Sequence, residues 1–270
     1  MNSLLSHTFG KSASYTVAIF CTCGLILLLL MLLPLFGLII GFHPKLFLAS
    51  LQKFVVWQAF LVSIKTTLIS VLIILLFGFP LSYLLSFYNF LGKGTILTLL
   101  ELPLVFPPIV GGLGLLIFFG RGSTFGIFFK NIGINVPFTP LALVFVQIFI
   151  AAPFFIFTVK SAMDQVDREC LLASASLKAS LPATLLFVLI PMVFPAILSG
   201  LTASFAKALG ELGASLIFAG NFPGVTQSMP LAIYIILQSN FDDAIALSML
   251  LVVTAFLPLS LLKLTITRKK

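Results

Sequence analysis

Long uncharged apolar runs, separated by short polar breaks, constrain this chain more than any other feature. A helix crosses a hydrocarbon layer with about 20 residues, and runs of that length fall near 16–40, 61–87, 96–119, 139–159, 186–209 and 244–262. Only structures that satisfy their own backbone groups survive in lipid. The pattern therefore predicts an all-α membrane protein with about six transmembrane helices. Composition agrees: of 270 residues, 60% are apolar and 8% charged, too few charges to coat a soluble domain of this size. Membrane lipid is thus the first expected partner. The stretch from Leu185 to Gly220 exceeds one upright span, so part of it must tilt, break or leave the bilayer.

The charges give an orientation. With the N-terminus in the cytoplasm, nine Lys and Arg residues lie in inner loops (Lys11, Lys93, Lys160, Arg168, Lys178, Lys263, Arg268, Lys269 and Lys270) and four in outer ones (Lys45, Lys53, Arg121 and Lys130). Basic residues favour the cytoplasmic side, so both termini are expected inside, together with the polar segment from Lys160 to about Pro182. No basic cluster is large enough for nucleic acid; Arg268–Lys270 suits a membrane-edge anchor. Cys21, Cys23 and Cys170 form neither a disulfide framework nor a metal pattern, and His7 and His43 have no spaced co-ligand. No metal and no cofactor are expected. The first apolar run is too long for a signal peptide and is not followed by a cleavage pattern.

A phosphate-binding loop requires a glycine five positions before Gly-Lys-Ser/Thr. Gly10-Lys11-Ser12 ends such a pattern, but Leu5 stands at the glycine position. Pro107 to Gly114 is glycine-rich without a lysine. Any ATP hydrolysis must come from a partner, and the chain itself is not expected to be an enzyme.

The inner segment carries a charged start (Asp164, Asp167, Arg168, Glu169) and then small residues (Ala173, Ser174, Ala175, Ser176, Ala179) with Leu172 and Leu177 between them. Such a helix fits a groove on another protein and equally a helix lying on the membrane surface. The segment resembles the cytoplasmic loop of permeases from ATP-binding-cassette importers: Glu-Ala-Ala, three residues, Gly, nine residues, Ile-x-Leu-Pro. Here the frame reads Leu172-Ala173-Ser174, three residues, Lys178, nine residues, Val188-Leu189-Ile190-Pro191. Ala173 and Pro191 match, Leu172 replaces the acidic residue, and Lys178 replaces the glycine; Glu169, one turn earlier, is a substitute carboxylate.

Two further stretches resemble molybdate permeases: Ala208 to Ser215 with Phe218 to Tyr234, and Leu102 to Gly112. Related sulfate permeases share the Gly-Glu and Gly-Asn elements. The resemblance covers about Gln58 to Leu262. It implies a type I importer permease fold, with 1–57 as an added span and outer loop, 58–262 as the core, and 263–270 as a basic cytoplasmic tail. It further implies a second permease copy, cytoplasmic ATP-binding subunits gripping Glu169, Leu172, Ala173, Ser174, Leu177, Lys178 and Pro191, and an extracytoplasmic oxyanion-binding protein. The implied cargo is molybdate, with tungstate, ahead of sulfate, and the expected membrane is a bacterial inner membrane or that of a plastid.

Charges within spans are costly and mark function. Lys65 suits snorkelling to the outer interface, and Glu101 reaching the inner one. Lys207 and Glu211, at i and i+4, fall on one helical face beside Gly210 and Gly213. They line a pathway or gate, with Glu211 held by Lys207, or form a structural ion pair. The outer loop 220–240, with Asn221, Gly224, Thr226 and Gln227 and then Asp242 and Asp243, is a candidate docking or gating surface. A stand-alone ion-coupled carrier would need carboxylates deep in several spans, where only Glu101 and Glu211 qualify.

Overall fold

In lipid, helices gain little by hiding apolar side chains from one another, so they associate through small residues and interhelical hydrogen bonds. The computed structural model of the chain, which describes residues 2–267, is built on that rule. Five helices are long and apolar enough to cross a membrane, or six if one bent pair counts as a single span. The successive helices are α1 (Asn2–Ile40), α2 (Pro44–Leu51), α3 (Phe54–Phe87), α4 (Lys93–Val105), α5 (Pro108–Phe119), α6 (Thr124–Asn131), α7 (Pro140–Asp164), α8 (Arg168–Ser176), α9 (Leu181–Thr184), α10 (Ile190–Leu209), α11 (Gly213–Phe218), α12 (Met229–Ile236) and α13 (Phe241–Thr267). The basic tail at 268–270 lies outside the described residues.

Helices α3, α7 and α10 form the centre. The buried face of α3 reads Ser63, Thr67, Ser70, Ile74, Gly78, Ser82 and Leu85, a repeat of three or four positions. This face meets α7 in parallel: Ser70 Oγ donates to Gln147 Oε1 at 2.9 Å, Ser82 Oγ to the Ile156 carbonyl at 3.2 Å, and Ser86 Oγ to the Lys160 carbonyl at 3.2 Å. The Gln147 amide donates in turn to the hydroxyls of Thr66 (3.2 Å) and Thr67 (3.3 Å), so a buried amide is satisfied on both ends. Helix α10 runs antiparallel on the other side of α7, with Ser204 Oγ donating to the Ala151 carbonyl at 2.9 Å. Phe155, fully buried, is wedged between two glycines. A Cβ on Gly78 would stand 2.9 Å from its ring, and one on Gly200 3.1 Å from it.

The expected continuous span at 96–119 is instead two helices, α4 and α5, set at 114°. The cause is Phe106-Pro107-Pro108. Neither proline donates to a helix ladder, and a residue before proline is pushed to extended backbone; ψ is 135° at Phe106 and 131° at Pro107. The other expected breaks lie where the sequence placed them. Helix α10, which continues a helical stretch from Leu181, stops at Leu209. The chain then turns through Gly210–Leu212 into α11, which packs on α5 and α7. Helix α13 closes the bundle against α10, α12 and α2. Helix α1 is peripheral: its Tyr15–Ile40 stretch is unburied, as a lipid-facing helix should be.

The bundle therefore has two distinct ends. At one, α7 ends beside the C-terminal turns of α3, and α8 packs on α9 and the π-helical turn that leads into α10. At the other, the N-terminal parts of α3 and α7 meet the loop 219–228, and Ser63 Oγ accepts from the Met229 N–H at 2.7 Å just beyond it. There Asp243 accepts from Ser50 Oγ at 2.6 Å and pairs with Lys53, tying α2 and α3 to α13.

Candidate functional site

At the first end, α7 terminates in the ion pair Lys160–Asp164 (2.6 Å) and the chain turns into α8. Asp167 caps α8, its carboxylate accepting from the Glu169 N–H at 2.9 Å. Glu169 itself is exposed in the first turn, where negative charge suits the helix dipole. Ser174 faces inward: only 8% exposed, it donates to the Leu171 carbonyl (2.8 Å) and shares a hydrogen bond with Thr184 Oγ1 (3.0 Å). This ties α8 to α9. Leu172 (66% exposed), Leu177 (84% exposed) and Ala173 are left pointing away from the bundle. Pro191 is exposed at the start of α10, just after a π-helical turn at 185–189, where the proline withdraws its N–H from the ladder. The sequence-expected handle is thus a short helix anchored by Ser174 and otherwise accessible.

Its end explains the frame of the motif. The Ala179 N–H reaches back to the Ser174 carbonyl (3.1 Å), the six-to-one closure of a helix whose C′ residue is left-handed. That residue is Lys178, with φ of +56°. The position at which the family motif has glycine is therefore one where a side chain is strained. Lys178→Gly is expected to raise unfolding stability by about 1 kcal/mol, the left-handed penalty less glycine's entropic cost. Thermal unfolding in mild detergent checks this, and a lower midpoint would contradict it.

The expectation for Lys207 and Glu211 needs correction. Helix α10 ends before Glu211, so the two do not share a helical face, and they form no ion pair among the described residues. Gly210 follows as the exposed cap of α10. Glu211, 5% exposed, turns its carboxylate onto the start of α11 and accepts from the Ala214 N–H at 2.8 Å. Lys207 is exposed in the last turn of α10, with Nζ 6.0 Å from the Phe154 ring centroid. Gly213 packs on Pro108 and Ile109. Glutamine keeps an acceptor oxygen where alanine has none. Glu211→Gln should therefore leave folding intact, whereas Glu211→Ala should cost about 1–2 kcal/mol, the worth of a lost cap. Parallel thermal melts of the two variants decide it.

The loop at the opposite end is only partly a surface. Thr226 is fully buried and accepts from the Phe222 N–H at 3.1 Å, while the Phe222 carbonyl takes the N–H groups of Thr226 (2.9 Å) and Gln227 (3.0 Å). Thr226 and Gln227 therefore hold the turn from inside, contrary to the expected docking role; the exposed portion is Phe222 to Val225. Asn221 donates to the Leu231 carbonyl at 3.3 Å. Gly224, at φ of +73°, lies so close to Gln58 that a Cβ would stand 2.7 Å from its amide nitrogen. Asp243 is taken up by Lys53 and Ser50, which leaves Asp242 as the exposed carboxylate of the expected pair.

Sequence reasoning missed two elements. One is the Gln147 network, whose signal was a lone amide in an otherwise apolar run. The other is the crossing of α5 with α11 at Gly112 and Ala214, which no single stretch of sequence discloses.

A bundle of five or six apolar helices with an accessible capped helix at one end and a folded loop at the other defines a multi-span membrane protein. The chain belongs to the family of binding-protein-dependent transport system inner membrane components, which it matches over residues 78–268. It is 37% identical over 200 residues to the molybdenum transport system permease protein ModB of Mycobacterium tuberculosis, covering 74% of this chain and 75% of that one. It is 32% identical over 211 residues to a probable sulfate transport system permease protein, cysT, of Chlorokybus atmophyticus (77% and 74% covered). Among solved structures it resembles a bacterial alginate ABC transporter in complex with an alginate pentasaccharide-bound periplasmic protein, with a TM-score of 0.70, 19% identity and 93% of each chain covered. At that identity the likeness establishes the fold, that of an ABC importer permease.

Proposed function

We propose that this chain is the membrane-spanning subunit of an ATP-driven importer for molybdate, with tungstate as an alternative cargo. The α8 end faces the cytoplasm and is gripped by ATP-binding subunits through Leu172, Ala173, Leu177 and Glu169. An extracytoplasmic binding protein delivers the anion at the opposite end, and a second permease copy completes the pathway. Lys207, Gly210, Glu211 and Gly213 form the joint by which α11 moves relative to α10 when the ATPases close, a rigid-body switch. The chain does no covalent chemistry.

The observation that carries the cargo is the 37% identity to a molybdenum permease over three quarters of both chains. The sulfate permease relative supports sulfate as the second reading. The complex of permease, ATPase and binding protein, reconstituted in liposomes, is expected to accumulate molybdate only with ATP and a loaded binding protein. Uptake by the permease alone would overturn the importer reading, and preferential sulfate uptake would exchange the cargo.

A further inference from the structure

At the end opposite α8, the N-terminal part of α3, the start of α7 and the 219–228 loop line a half-open cavity of about 290 Å³. Gln58, Leu61, Lys65 and Thr66 of α3, Pro140 of α7 and Gly224 of the loop line it, and no carboxylate does. The space is ample for a tetrahedral oxyanion with several waters, each of which takes about 30 Å³.

Lys65 has no ion-pair partner: among the described residues the pairs are Lys53–Asp243 and Lys160–Asp164. It is exposed near the outer end of a helix long and apolar enough to cross the membrane, where its long side chain can carry the charge to the interface and to an anion there. Gln58, two turns earlier on the same face, likewise shows no side-chain hydrogen bond among the described residues and is pressed against Gly224. Because Gly224 carries no side chain, the loop backbone closes over that amide and leaves the cavity open beneath it. Deeper in, Thr66 joins the cavity to the buried polar network, its hydroxyl accepting from Gln147, which accepts from Ser70. The amide of Gln58 and the ammonium of Lys65 thus share one face of α3 as available donors, with no acid in the lining, whereas the Thr66 hydroxyl, on the neighbouring face, already donates to the Val62 carbonyl at 2.9 Å.

We propose that this cavity is an entry site for the transported oxyanion, with Lys65 supplying the charge and Gln58 a neutral donor. The assignment rests on the importer reading for the identity of the anion, but its chemistry is that of any tetrahedral dianion. A lipid phosphate has the same chemistry, so the test separates the two.

The permease–ATPase complex is placed in nanodiscs of purely zwitterionic lipid and, in parallel, in nanodiscs containing an anionic phospholipid, and Lys65 is labelled with an amine-reactive reagent and quantified by peptide mass spectrometry, with and without molybdate or sulfate. Added dianion is expected to slow labelling of Lys65 several-fold while Lys53 and Lys130 are unaffected. Equal labelling in all conditions overturns the proposal. So does protection that appears only with anionic lipid and ignores the added dianion, which would assign the cavity to a headgroup. Because labelling needs no transport, protection by sulfate or molybdate stands even if the importer reading fails. In the uptake assay, Lys65→Gln should reduce the rate about tenfold, the loss of one charge-assisted hydrogen bond, and Lys65→Arg should recover most of it. Uptake by Lys65→Gln at the wild-type rate, with ATPase binding retained, would also overturn the assignment.

Discussion

Replacing Gly112 by alanine is expected to destabilise the protein by about 2–3 kcal/mol, the upper range for forcing one methyl group into a packed core. The cause is specific. A Cβ at that position would lie 2.6 Å from the carbonyl oxygen of Ala214 and 2.7 Å from its Cα, so it would strike backbone. Backbone has no rotamer with which to yield. Helix α5 would have to lift from α11, and the aromatic cluster of buried Phe119 and Phe218 with half-buried Phe145 beside the crossing would loosen. Gly114, two residues on, is the control, since a Cβ there meets nothing within 4 Å. Gly114→Ala should be neutral or gain up to about 1 kcal/mol from helix propensity. Thermal unfolding of both variants in mild detergent tests the contrast. Equal midpoints would mean that the α5–α11 crossing is not a tight joint. Because α11 also carries the peptide N–H that holds Glu211, Gly112→Ala should reduce ATP-driven uptake along with stability.

The spans were legible because hydropathy in lipid is a length measurement: five of the six expected runs correspond to long helices, with ends displaced by several residues. Their failures have local causes. Helix α4/α5 was read as one span because its apolar run is uninterrupted, while Pro107-Pro108 breaks the backbone without breaking the hydropathy. Lys207 and Glu211 were placed on one face because a four-residue spacing presumes a continuing helix. Gly210 and Gly213 in the same segment permit the turn that separates them, and the carboxylate is drawn to an unsatisfied N–H on the next helix. The short helix α8 was legible through the spacing of its motif, but the meaning of that spacing was not. Only φ at Lys178 shows that the glycine position is a left-handed helix end. The loop residues Thr226 and Gln227 read as surface because they are polar. Their burial follows from the turn they stabilise, a contact closed over four or five residues around the Phe222 carbonyl. The Gln147 network and the Phe155 wedge join residues some 80 or 45 positions apart, which a one-dimensional pattern does not encode.

Substituting both Leu172 and Leu177 by aspartate is expected to abolish ATPase capture while leaving the permease fold untouched. The two side chains are 66% and 84% exposed, so neither supports the bundle, and their replacement should not move the unfolding midpoint. A leucine buried in a partner groove contributes about 1.5–3 kcal/mol. Losing two such contacts weakens binding by at least about a hundredfold, before the cost of burying two carboxylates is added. The measurement is the affinity of the purified ATPase for the permease in nanodiscs, read by co-purification and by surface-immobilised titration. Ser174 supplies the opposite case. It faces the bundle and fastens α8 to Thr184, so Ser174→Ala should leave the docking leucines in place but free α8 from α9, lowering uptake more than ATPase affinity. An aspartate pair that binds the ATPase as tightly as the native chain would show that α8 is not the handle, and the motor would have to grip the permease elsewhere.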